Sequence, residues 1–276
     1  MMTTGTLMTY VSAIQTWREE QEALLRAEDG WLTVVGLFWL REGENTLGSD
    51  TACDVVLPAR FPARLGVMTL DGREICLRVT ADDPPVLVEG ESRREAVLRY
   101  GPPQTPTQVQ IECVTLFVIP RGDRLAVRMR DAESEARRTF TGRQWFEVDP
   151  AFCVNARFFP HPGGRSLEVE TAIGTSVRLS NPGAVSFEWA GGQHRLEAFE
   201  GDPDDELWFI FRDATSGQST YGAGRFLYAT LRADGSVDLD FNKAESPPCA
   251  FTPYATCPLP PKENVLPISI TAGERE

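Results

Sequence analysis

The chain has 276 residues, 42% hydrophobic and 24% charged, which excludes disordered and collagen-like classes and leaves room for one large or two small domains. Its 27 basic against 40 acidic residues give a formal charge of −13, a sign that repels phosphate backbones and anionic lipid, so neither nucleic acid nor a membrane surface is expected as a partner. The longest apolar stretch, Trp31 to Leu40, falls well short of the ~20 residues of a membrane helix, and no basic group precedes the weakly apolar Met1 to Tyr10; the expected location is cytoplasmic.

In chain order, Tyr10, Ile14, Trp17 and Leu24 recur at helical spacing within residues 9–28. Arg18, Glu19, Glu20, Glu22 and Arg26 charge the opposite side, and Asp29-Gly30 ends the helix. From Trp31 onward the punctuation is that of short strands. Asp71-Gly72 joins 67–70 to 74–79 as a hairpin, and strands are expected near 85–89, 109–119, 125–130, 145–149 and 152–159. Further strands fall near 166–171, 175–180, 185–190, 194–200, 207–212, 224–232, 236–241 and 265–270. Arg121-Gly122-Asp123, Asn181-Pro182-Gly183, Gly191-Gly192 and Asp234-Gly235 supply turns. The fold class is therefore mainly β. The charged stretch 131–143 divides residues 1–130, an N-terminal helix with a β-sandwich-like unit, from residues 131–276, a C-terminal antiparallel β-barrel-like unit with a proline-rich strap.

Six cysteines are spread over more than two hundred residues without Cys-x-x-Cys, so neither a disulfide framework nor a structural zinc site is expected, and no metal or cofactor is assigned. With only two histidines, a Ser-His or Cys-His device must use His161 or His194. His161 lies in Phe-Pro-His-Pro-Gly-Gly, a turn composition. His194 shares a strand face with Leu196 and Ala198 and points inward. No Walker loop or nucleophile-elbow serine occurs, and Gly222-Ala223-Gly224-Arg225 lacks the βαβ setting of a dinucleotide site. The run Leu40 to Ser49 followed by Asp54 to Pro58 resembles the opening of forkhead-associated domains. It lacks the arginine, serine and histidine that hold phosphate there, so phosphopeptide binding does not follow.

Residues 207–261 carry the most information. A two-residue loop at Asp234-Gly235 sets Thr230 opposite Leu239 and Ala229 opposite Asp240. Tyr228, Thr230, Val237, Leu239 and Phe241 then share one face, with Arg225, Leu227, Ala229, Asp238, Asp240 and Asn242 on the other. That second face is either solvated or the lining of a barrel lumen. The strap that follows, dense in proline up to Pro261, must be stiff and extended, and it carries Cys249, Tyr254 and Cys257. It either caps the barrel or brings Tyr254 and a cysteine to a pocket mouth.

Asp213 to Gly217, Thr220-Tyr221-Gly222, Gly224-Arg225-Phe226, Leu239-Asp240-Phe241-Asn242 and the strap from Pro247 to Pro261, with Asn264 and Leu266-Pro267, resemble the bacterial family catalogued as domain of unknown function 1684. Gly30-Trp31-Leu32, Gly36 to Leu40 and Gly43-Glu44-Asn45 fit the same pattern, whereas Glu245-Ser246 departs from it. The resemblance supports the fold and implies no activity. The functional expectation is a small polar or anionic molecule bound in the C-terminal unit by Tyr221, Arg225, Asp240, Asn242 and Tyr254. Two alternatives stay open. One is a hydrolase-like enzyme using Cys249 or Cys257 with His194, or Asp240 with Tyr254. The other is a protein-interaction scaffold that pairs as a homodimer.

Overall fold

The computed structural model describes residues 4–101, 103–203 and 205–276. Residues 1–3, part of the segment read above as lacking an export signal, lie outside that range. The chain divides into two compact units, 26–140 and a second made of 1–25 together with 141–276. The break falls within the charged stretch marked out in the sequence, but the helix groups with the C-terminal unit and not with the N-terminal one. Among the described residues no helix is long and apolar enough to cross a membrane.

The 26–140 unit contains two sheets. One orders Val34–Trp39, Arg124–Asp131, Val114–Arg121, Val109–Ile111, Leu87–Val88 and Glu91–Ser92; the other orders Val55–Val56, Gly43–Gly48, Gly66–Asp71, Glu74–Val79 and Glu95–Val97. Alternation along the strands, as in the buried Met68 and Leu70 or Ile75 and Leu77, supplies one side of the apolar core; Ile111, Leu116 and Val127 supply the other.

In the second unit, helix α1 (Thr4–Arg26) buries Ile14 and Leu25 completely and sets Tyr10, Trp17 and Gln21 along the same stripe. Leu24, expected on that stripe, is 64% exposed; Leu25 takes its place, one residue on. Six antiparallel strands follow: β1 (Cys153–Glu170), β2 (Ser176–Trp189), β3 (Gly192–Glu200), β4 (Glu206–Phe211), β5 (Arg225–Thr230) and β6 (Ser236–Asp240). They are ordered β5-β4-β3-β2-β1-β6, an almost closed barrel. Phe187, Leu196, Phe209, Leu227, Val237 and Leu239 fill its interior, so it is a packed core without a ligand lumen.

Several local expectations shift. Segments expected as four strands are two long ones, β1 and β2. The turn signals around His161 and at Asn181-Pro182-Gly183 face each other inside that pair, where register slips between Pro160 and Arg165; prolines and glycines there make a bulge instead of ending the strands. Residues 265–270 form no regular strand. Their backbone is held partly by side chains, the Ile270 carbonyl accepting from Arg225 Nη2 at 3.0 Å.

The largest correction concerns β5 and β6. Arg232 N donates to the Ser236 carbonyl at 3.0 Å and Gly235 N to the Arg232 carbonyl at 2.9 Å, so the loop holds three residues, Ala233 to Gly235, with Gly235 at φ +79°. Three-residue hairpins end on such a left-handed residue, which glycine adopts without strain. Leu231 therefore faces Val237, one residue off the expected register. A one-residue slip turns every side chain of one strand over. Leu227 and Ala229 thus join Val237 and Leu239 inside, while Tyr228, Thr230, Arg232, Asp238 and Asp240 line the outside.

Candidate functional site

β5 and β6 are the two edges of the barrel sheet, joined by the single bridge Leu231–Val237 before they part. Over this seam, and under one side of α1, lies a cavity of about 570 Å³. Trp17 and Gln21 reach it from the helix, Tyr228, Thr230 and Arg232 from β5 and its end, and Asp238 and Asp240 from β6; Lys243, Glu245, Glu206 and Cys153 complete its charged wall. The volume is that of an ordinary small-molecule site.

Each wall group is positioned by the fold. The Tyr10 hydroxyl donates to both Asp240 oxygens, at 2.8 and 2.9 Å. Asn242 donates through Nδ2 to Asp240 at 3.0 Å and to the Asp149 carbonyl at 2.8 Å, and accepts from Asp149 N at 3.0 Å. Asp240 thus has neutral donors, and burial together with this carboxylate pushes the Tyr10 phenol up. Asp238 is held low by hydrogen bonds from Arg232 and from Asn155. Glu206 is pushed up by burial, with Asp202 and Asp205 adding repulsion. Glu245 is also raised by burial, although Arg143 Nη1 donates to it at 2.8 Å. Burial and Asp240 lift the Cys153 thiol to about 11, so it stays protonated. Tyr228 is 39% exposed and stacks on Trp208, ring centroids 6.2 Å apart and planes 5° from parallel. Lys243 Nζ lies 5.9 Å from the Trp17 ring centre.

The lining therefore carries four carboxylates, Glu206, Asp238, Asp240 and Glu245, against two cations, Arg232 and Lys243. Arg232 is already committed to Asp238. The site presents net negative charge beside aromatic rings, which suits a positively charged guest.

The residues singled out in the sequence separate into three places. Asp240 lines the cavity and Asn242, fully buried, orients it. Arg225 is 1% exposed; its Nη2 donates to Asp213 at 2.6 Å and to the Ile270 carbonyl, its Nη1 to the Ala272 carbonyl, and its guanidinium lies 5.3 Å from the Phe211 ring centre. Tyr221 and Cys249 meet in the strap, the Tyr221 hydroxyl donating to the Cys249 carbonyl at 2.9 Å. Tyr254, 37% exposed, stands on the same strap, and no hydrogen bond among the described residues joins it to Asp240. His194 bonds the Trp189 carbonyl at 3.2 Å at the β2–β3 turn, and none joins it to either strap cysteine. His161, expected in a turn, sits in the β1 bulge with Nε2 2.7 Å from Glu197.

Sequence reasoning missed Trp17, Glu206, Tyr228, Lys243 and Glu245 as lining. Tyr228 was assigned to the apolar face by the hairpin slip, and Trp17 belongs to a helix whose destination no local pattern records. Among the described residues no group of three or more His, Cys, Asp or Glu could hold a metal ion.

A family model described as "Protein of unknown function (DUF1684)" matches residues 138–275. Among solved structures, the chain is similar to the solution NMR structure of the uncharacterized protein from gene locus rrnAC0354 of Haloarcula marismortui, at 37% identity, covering 51% of this chain and 79% of that one, with a TM-score of 0.44. The comparison with curated proteins returns no match.

Proposed function

The chain belongs to the DUF1684 family of proteins of unknown function, a name that assigns no activity, and from the geometry of the seam we propose that its C-terminal unit binds a small organic cation, an amine or guanidinium compound. The observation that carries this reading is the excess of carboxylates over cations in a cavity of about 570 Å³ walled by Trp17 and Tyr228. Asp240 is the anchor, since its partners Tyr10 and Asn242 are neutral and leave its charge uncompensated. Glu206 supplies a second carboxylate, and the aromatic rings add attraction for a desolvated cation. The anionic ligand suggested by Arg225 gives way, because that guanidinium is enclosed and its bonds go to Asp213 and to backbone carbonyls.

The test is isothermal titration calorimetry with spermidine, choline and arginine, with glycerol and citrate as neutral and anionic controls. At least one cation binds, and Asp240→Asn weakens it roughly tenfold or more, the loss expected when a charged hydrogen-bond acceptor becomes neutral. Binding of citrate in preference to every cation, or equal cation affinity in the Asp240→Asn protein, would overturn the reading.

A further inference from the structure

The strap carries chemistry that the seam does not use. Pro248–Ala250 forms a 3-10 turn, and Phe251 and Thr252 donate back to the Pro248 carbonyl at 3.0 and 3.2 Å. At the other end Ala172 N donates to the Cys257 carbonyl at 2.8 Å and Leu259 N to the Glu170 carbonyl at 2.7 Å, which ties the strap to β1 and the turn after it. Between these anchors the chain doubles back, and the Cys257 thiol comes within hydrogen-bonding reach of the Cys249 sulfur. The Tyr221 hydroxyl, bonded to the Cys249 carbonyl, stands beside that same sulfur. Both thiols are free. Cys249 is half-buried and open to a reagent, whereas Cys257 is 6% exposed.

We propose that Cys249 and Cys257 form a reversible dithiol–disulfide site that reacts with small disulfides of the glutathione type, Cys249 attacking and Cys257 resolving. The Cys249 proton is released as its thiolate attacks one sulfur of glutathione disulfide. The glutathione S–S bond breaks, a Cys249–glutathione bond forms, and the first glutathione leaves as a thiolate that takes up a proton. Cys257 then gives up its proton, its thiolate displaces the second glutathione from Cys249, and that glutathione is protonated in turn. Two cysteine thiols have become one disulfide, and one glutathione disulfide has become two glutathiones.

The assignment of roles follows from the surroundings. Bonds from the Cys257 thiol and the Tyr221 hydroxyl favour the Cys249 thiolate and bring its pKa down to about 7. Cys76, Cys113 and Cys153 are all pushed up, each chiefly by burial and each with a carboxylate nearby, so attack concentrates at Cys249. The nearness of the two sulfurs lets the second step proceed without displacing the anchored ends.

The test uses the whole chain incubated with glutathione disulfide, quenched in acid and mapped by peptide mass. In the wild type the peptide spanning both cysteines loses two hydrogens, and dithiothreitol restores them. Cys257→Ser traps one glutathionyl group on Cys249, and Cys249→Ser leaves Cys257 unmodified. A glutathionyl group that persists on wild-type Cys249, or oxidation found only at the other cysteines, would sink the proposal. Should a variant fail to fold, competitive alkylation of the wild type decides instead: iodoacetamide marks Cys249 ahead of Cys257, and the reverse order overturns the assignment.

Discussion

The Tyr10 hydroxyl and the Asp240 carboxylate meet at 2.8 Å across 230 residues of chain, tying the N-terminal helix to the end of β6. This contact orients the one wall carboxylate of the seam whose side-chain partners are both neutral. Tyr10→Phe removes a donor from a half-buried carboxylate and from the Asn242 network, so it should lower stability by about 1–3 kcal/mol. Urea unfolding checks this, as a lower midpoint at unchanged slope. An unchanged midpoint would mean that water replaces the phenol at no cost.

Arg225 and Asp213 are both fully enclosed, 2.6 Å apart. Removing one member of such a pair leaves an uncompensated charge, and Arg225→Met also strands the carbonyls of Ile270 and Ala272. The expected loss is about 3–5 kcal/mol in urea unfolding. Cation affinity in whatever fraction remains folded should match the wild type, because Arg225 stands outside the seam. A stable Arg225→Met protein with altered ligand affinity would return Arg225 to a binding role.

Arg143 Nη1 bridges two buried carboxylates, Glu245 at 2.8 Å and Glu274 at 3.0 Å. One guanidinium does not compensate both, and burial, with repulsion from Glu245, carries Glu274 from 4.5 up to about 7. A carboxyl raised on folding binds its proton more tightly in the native state. Its contribution is complete below the unfolded value and is lost as pH climbs through about 7. Chemical denaturation at a series of pH values should therefore show stability falling between 4.5 and 7, with a shallower fall in Glu274→Gln. Identical slopes in the two proteins would refute this account.

Gly224 has φ +100°, and a Cβ there would lie 2.5 Å from the Phe211 carbonyl oxygen and 2.7 Å from Pro260 Cγ. Gly224→Ala combines backbone strain with a collision against the strap and should cost more than about 2 kcal/mol. Gly191, with φ +78° and nothing within 4 Å of its would-be Cβ, isolates the strain alone, and Gly191→Ala should cost about 1 kcal/mol. Thermal unfolding of the two variants compares them, and equal losses would remove the collision from the explanation.

What could be read before the structure was whatever depends on neighbours in sequence. Strand alternation and turn residues mark a mainly β chain, and proline density marks the strap. The residues of the seam could not be read this way. Asp234-Gly235 suits a two- or a three-residue loop, and the difference of one residue decides whether Tyr228 is inside or out. The spacing of Ile14 and Trp17 announces an apolar stripe but not the surface that receives it. Arg225 beside alternating aliphatics has the pattern of a ligand contact, yet its partner Asp213 and the Ala272 carbonyl come from segments without periodicity.

Placing residues 1–25 in the same unit as 141–276 has a consequence for synthesis. A ribosome adding ~5–20 residues per second needs roughly 10–50 s to pass from Tyr10 to Asp240. Throughout that interval Ile14 and Leu25 are without the surface that later covers them, while the intervening 26–140 unit already has all of its strands. Nascent-chain folding should therefore run from the middle of the protein outward, and the helix is the segment most in need of a chaperone's temporary cover.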